Sequence, residues 1–214
     1  MIHRVTARPF ILSKVAVLTI ELPFTLETPL ERAIAADPIW QRGIAWGWPR
    51  PGHAEGKVIY HIADVLANVE RYALSADDRR DLRLITLLHD SLKYRVDPER
   101  PRSGENHHAE RARRFAQRYI TDQRVLTIIE LHDEGIHLWN RWRHTNDAKQ
   151  IEVRLDTLLE QLGEYWLLFV EFFRCDNDTP SKNPEPVRWF EEMLRRRGYS
   201  VPPFPSSEDG RQAI

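Results

Sequence analysis

The stretch "LITLLHDSLK" (residues 84–93) sets two proton-active side chains, His89 and Asp90, among Leu84, Ile85, Leu87, Leu88 and Leu92, with Lys93 behind them. Four more residues combine acid–base or ligand chemistry with an apolar setting. Side chains three, four and seven apart share a helix face. By that test His61 lies with Val65, Val69 and Tyr72, and His89 with Leu82, Ile85 and Leu92. His108 lies with Ala112, Phe115 and Tyr119, His132 with Val125, Ile128 and Ile129, and Asp176 with Tyr165, Leu168, Phe169, Phe172 and Phe173. A single inward histidine is ordinarily a hydrogen-bonded core residue. A buried carboxylate without a partner is costly or becomes neutral. Four histidines and two aspartates converging pose a larger problem. A network of aspartates and protonated histidines is one solution; one or two divalent cations are the other. Imidazole nitrogen and carboxylate oxygen together suit Mn, Fe, Ni, Co, Mg or Zn. The expected metal residues are therefore His61, His89, Asp90, His108, His132 and Asp176.

Other candidates fail the same test. Asp156 shares its face with Glu152, Glu160 and Gly163, and His137 sits with Asp133, Glu134 and Arg141. His107 lines up with Arg111, Arg114 and Arg118, a solvated face, although it competes with His108 if the helix begins one residue later. His3 and His144 lie in weakly patterned context and His53 in a Gly/Pro loop.

Helices must position these groups. Apolar periodicity predicts them over residues 57–74, 78–94, 107–119, 122–138, 149–176 and 184–197. "TPLERAIA" carries helix-start signals in Thr28, Pro29 and Glu31. "KVAVLTIELPF" is β-branched and reads as extended or as an arm over the core. Residues 47–56 and 95–106 read as loops, and "VPPFPSSEDGRQAI" as a Pro-rich tail. The fold class is all-α. Residues 1–49 are expected to form an N-terminal arm and short helix on the core, residues 50–198 the metal-binding helical domain, and residues 199–214 the tail.

Composition excludes several classes. The chain has 214 residues, 42% of them hydrophobic, enough for one sizeable core. The formal net charge of −1 gives no field that would draw in nucleic acid. One cysteine, Cys175, permits neither an intrachain disulfide nor a thiolate zinc site. The opening residues do not read as a signal peptide, and no apolar run approaches the ~20 residues of a membrane span. A soluble, cytoplasmic protein with no membrane partner is expected.

The order His61, His89-Asp90, Asp176 resembles the HD superfamily of metal-dependent phosphohydrolases. "HAEGKVIYHIADVL" (53–66) is similar to the segment that opens the HD domain of bacterial tRNA nucleotidyltransferases. "LLHDSLK" is similar to the family's Leu-Leu-His-Asp-x-x-Lys, with Ser91 and Leu92 where Ile-Gly is common. "HAERARRFA" (108–116), "IIELHDEG" (128–135) and "FFRCDND" (172–178) are similar to the later ligand-bearing segments, with Arg113 at a position often small. The resemblance covers roughly residues 50 to 180. The roughly fifty residues before it are too few for a nucleotidyltransferase domain. It implies an HD-type helical bundle around a central metal, held by His61, His89, Asp90 and Asp176. In two-metal members a second ion would fall to His108 and His132, with Asp90 shared.

The implied reaction is hydrolysis of a small phosphorylated compound, a nucleotide among the options, by water that the metal acidifies to a pKa of about 7. Asp90 and Lys93 would carry it. Lys93, four residues after His89, could steady a phosphate oxygen or could simply be a surface lysine at a helix end. Arg95, Arg100 and Arg102 could meet an anionic substrate or stay solvated, and Glu55 and His53 could hydrogen-bond the ligands' neighbours. Two alternatives stand beside this reading: an HD-type di-iron oxygenase, and a non-catalytic protein that a metal stabilises. Trp40, Trp46 and Trp48 cluster around the first loop, read as core packing, with a lid or homodimer contact as the alternative.

Overall fold

The computed structural model describes residues 20–51, 54–145 and 147–203. His3, His53, residues 14–19 of the β-branched segment and residues 204–214 of the tail lie outside them. Among the described residues there is no strand. An antiparallel bridge, Gly47 to Lys57, closes the first loop.

Two short helices come first, α1 (Pro29–Ala35) and α2 (Pro38–Ile44). Thr28 starts α1 as its sequence predicts: its Oγ1 accepts from the Glu31 N–H at 3.1 Å, while the Glu31 carboxylate accepts from the Thr28 N–H. There follow α3 (Val58–Tyr72), α4 (Ala76–Leu88), α5 (His108–Ala116), α6 (Gln123–Leu131), α7 (Glu134–Thr145), α8 (Ala148–Leu162), α9 (Trp166–Asn177) and α10 (Glu185–Arg196). Short 3₁₀ turns lie at Lys93–Arg95, Gly104–Asn106 and Gly163–Tyr165. Helices α3, α4, α6 and α9 pack on one another, α5 covers α6, and α7, α8 and α10 close the far side. The core between them includes Ile62, Leu82, Ile85, Ile128, Phe169 and Phe172, all fully buried. No described helix is long and apolar enough to cross a membrane.

Three predicted helices break where periodicity carries them on. The span 149–176 breaks at Gly163, whose φ of +52° a side-chain-bearing residue rarely adopts. The spans 78–94 and 122–138 both break at a histidine. Helix α4 ends at Leu88, so His89 caps it and Asp90 lies in the turn beyond, not mid-helix. Helix α6 ends at Leu131 with His132 as cap, and a new helix begins at Glu134. The cause is the same twice. His89 Nδ1 lies 3.0 Å from the Thr86 carbonyl and His132 Nδ1 lies 2.8 Å from that of Ile129. Each ring nitrogen takes the carbonyl that a continuing helix would give to the next residue's N–H.

The N-terminal helices are built into this turn. Trp40 is fully buried, and its Nε1–H donates to the Leu87 carbonyl at 2.6 Å. Gly43 faces Ser91, whose carbonyl oxygen would lie 1.7 Å from a Cβ at position 43. Only glycine lets α2 approach the His89-Asp90 turn so closely.

Candidate metal centre

The six residues singled out from the sequence come together. His61 stands on α3, His89 and Asp90 follow α4, His108 opens α5, His132 closes α6 and Asp176 lies near the end of α9. Asp90 is the hub. Its Oδ2 lies 3.5 Å from His89 Nε2 and 3.9 Å from His61 Nε2. Its Oδ1 lies 3.6 Å from both His108 Nε2 and His132 Nε2. On the Oδ2 side, Asp176 Oδ1 sits 2.8 Å from His61 Nε2 and 3.7 Å from His89 Nε2. On the Oδ1 side, His108 Nε2 and His132 Nε2 are 3.2 Å apart.

The ring orientations follow from the helix ends. With Nδ1 of His89 and His132 committed to backbone carbonyls, each Nε2 faces Asp90, and that of neutral His89 does so with a lone pair. His89 Nε2 and Asp90 Oδ1 are buried with no hydrogen-bond partner. Phe172, 5.1 Å from the His89 ring and 6.2 Å from that of His132, gives both an apolar backing.

Three residues join that the sequence reading did not include. Asp133 sets Oδ2 at 3.0 Å from His108 Nε2 and Oδ1 at 3.4 Å from His132 Nε2. The signal for it was present: "LHD" occurs at 88–90 and again at 131–133, and both copies end a helix. Lys182 follows α9 and donates to the Asp176 carboxylate and carbonyl, each at 2.8 Å; its irregular segment has no periodicity to betray it. Arg50 approaches the site from the first loop, 6.0 Å from the ring centres of Trp46 and Trp48.

Charge is tightly matched. Burial alone would raise the carboxyl pKa values, but cationic and hydrogen-bonding neighbours win. Lys93 and His132 hold Asp90 well below the usual range, His132, the His108 contact and Lys93 do so for Asp133, and Lys182 with the His61 hydrogen bond for Asp176. Lys93 Nζ reaches Asp90 Oδ2 at 2.5 Å, and although burial opposes its charge, Asp90 and Asp133 raise its pKa. Burial pushes His89 down to about 3, so it is neutral and ready to donate a lone pair. Burial also opposes a proton on His132, but Asp133 and Asp90 lift it to about 9. That proton supplies positive charge which a cation would replace.

These residues fit a divalent cation on two counts: the donor set is imidazole and carboxylate, and two buried donor atoms lack partners. The groupings His61, His89, Asp176 and His108, His132, Asp133 each bring their donor atoms within 4.8 Å of one another, as do His89, Asp90 and His132. His108 rather than His107 joins Asp90. His107 does not lie on the solvated helix face expected for it. It caps α5 from outside the helix and groups at the rim with His137 and Asp133.

Two cavities open onto the centre. One of about 560 Å³ is lined by His89, Asp90, Lys93, His132, Asp133 and Asp176, with Trp139 and Lys182 on its wall. The other, of about 700 Å³, reaches Lys93, His108 and Asp133 past Trp46, Trp48 and Arg102. Core packing therefore holds for Trp40 but not for Trp48, which is 59% exposed at that mouth. Of the three loop arginines only Arg102 lines these cavities; Arg95 and Arg100 turn to another. Glu55 Oε1 stands 3.7 Å from Nδ1 of the ligand His61 itself, rather than from a neighbour of it.

A family model for the HD domain matches residues 58–155. Those residues are an HD domain. HD domains bind divalent metals and belong to metal-dependent hydrolases. This one runs from the start of α3 into α8, and so carries His61, His89, Asp90, His108, His132 and Asp133, while Asp176 lies beyond it on α9. Searches of curated proteins and of solved structures returned no match.

Proposed function

We propose that the protein is a metal-dependent phosphohydrolase for a small phosphorylated compound, with two cations sharing Asp90. The observation that carries this is the divergence of the two Asp90 oxygens, Oδ2 toward His61 and His89 and Oδ1 toward His108 and His132. One carboxylate serves two donor sets. In the proposal His61, His89, Asp90 and Asp176 hold the first ion, and Asp90, His108, His132 and Asp133 the second.

Bound divalent cations supply a water acidified toward neutral pH and a Lewis acid for a phosphoryl oxygen. The chain's own residues do the rest. His89 and His132, each fixed through Nδ1, present Nε2 without rotational search. Lys93 lines both cavities and remains cationic, so it can hold a phosphoryl oxygen arriving from either side. Lys182 does the same from the Asp176 side. Phe172 keeps water from the back of the site. Cavities of this size suit a small metabolite.

The test is a screen of phosphorylated metabolites, nucleotides included, with Mn, Mg, Co and Fe supplied in turn, against wild type and Asp90→Asn. Phosphate release by wild type and none by the variant is expected. Oxygen consumption with Fe(II) and no phosphate release from any compound would replace this reading with an oxygenase.

A further inference from the structure

A third cavity, of about 300 Å³, lies apart from the metal donors and is walled by Arg95, Arg100, Arg111, Arg114 and Arg118. Its floor is apolar, made of Ile39, Leu92 and Phe115. Two of the five guanidiniums are neutralised within the protein. Arg114 pairs with Glu105 at 3.1 Å and Glu110 at 2.5 Å, and Arg118 pairs with Asp37 at 3.0 Å. The other three form no ion pair among the described residues, and the one carboxylate on the cavity wall, Glu105, is the partner of Arg114. Arg95 donates only to the Tyr94 hydroxyl, at 3.0 Å. Arg111 Nε is buried with no hydrogen-bond partner at all. Three uncompensated cations face one concavity in a protein whose net charge is −1.

We infer that this cavity is a second ligand site, one that takes a small, multiply charged phosphate compound. Like charges held this close repel one another, and an anion reverses the sign of that interaction. The planar guanidinium fork matches phosphate oxygens in bidentate fashion, as a lysine would not. Three free cations call for a di- or triphosphate group rather than a monophosphate. The apolar floor suits a ring or carbon skeleton attached to it. A nucleic acid strand would need positive charge spread along a track; here the arginines converge on a space for one small molecule. The cavity touches the metal centre through one turn, since Leu92 and Arg95 flank Lys93. The inference does not depend on which reaction the metals perform.

The test uses metal-loaded full-length protein in excess Mg²⁺ and titrates methylenediphosphonate, which resists hydrolysis, by calorimetry. Wild type should bind it. Arg100→Ala combined with Arg111→Gln should weaken binding at least tenfold while leaving metal content and melting temperature unchanged. Asp90→Asn should still bind. Arg100→Ala alone, in an exposed loop, should weaken binding several-fold and covers the case in which the double variant misfolds. No binding by wild type at millimolar ligand, equal binding by the arginine variants, or loss of binding only in Asp90→Asn would overturn the inference. So would a short single-stranded RNA that binds through Arg100 and Arg111 and that the diphosphonate fails to displace.

Discussion

Replacing Glu171 by glutamine should flatten part of the protein's stability–pH curve. Glu171 lies on α9 five residues before Asp176 and is 1% exposed. Neither carboxylate oxygen has a hydrogen-bond partner. Burial, and then the nearby Asp78, push its pKa up to about 8 from an ordinary 4.5, against the pull of Arg124 and Arg174. The folded value lies above the unfolded one. Stability relative to the charged form is therefore complete below pH 4.5 and is lost as pH rises to about 8. At about 1.4 kcal/mol per pH unit the ceiling on that loss is about 5 kcal/mol. Side-chain relaxation and water entry bring the expected figure to roughly 3 kcal/mol. Glutamine keeps the shape and cannot ionise. Urea unfolding of metal-free wild type and Glu171→Gln, followed by circular dichroism from pH 5 to pH 8, isolates the effect because other titrations cancel in the difference. The variant should gain on wild type by about 3 kcal/mol across that range. A difference that stays constant with pH would refute the reasoning.

Three further outcomes are expected. Gly43→Ala should cost roughly 1–3 kcal/mol and lower metal occupancy, because the new methyl group must displace the Ser91 carbonyl beside Asp90; thermal melts with metal analysis check both. Trp40→Phe leaves the Leu87 carbonyl without its donor, and chemical denaturation should register a loss of about 1–3 kcal/mol. Lys93→Ala should reduce kcat for phosphate release at least tenfold with metal content intact, as steady-state kinetics and metal analysis together would show; unchanged kcat would return Lys93 to a structural role.

The face test singled out five of the six residues by one rule, inward position beside apolar neighbours, and Asp90 entered as the neighbour of His89. His61 and Asp176 stand within helices, where that rule holds without change. His89 and His132 point inward too, yet they do so by ending their helices, which periodicity cannot foresee. The same break hid Asp133. Counted along a continuous helix it fell with Glu134 and His137, outside the core; with the helix ended at Leu131 it turns to His108. Lys182 and the arginine cavity depend on loops whose course local sequence does not determine. Of the loop arginines, Arg102 faces the centre and Arg95 does not, although both sit in the same polar stretch. The N-terminal helices were legible through the Thr28 cap, but their contact with the His89-Asp90 turn emerges only from Gly43 meeting Ser91 in space.

Asp90 as the link between two cations can be measured most directly by loading the protein with Mn²⁺, counting bound ions per chain, and recording the electron paramagnetic resonance spectrum. Two ions per chain with an exchange-coupled signal, both abolished in Asp90→Asn, are the predicted result. A single uncoupled ion, or none, in wild type would contradict it.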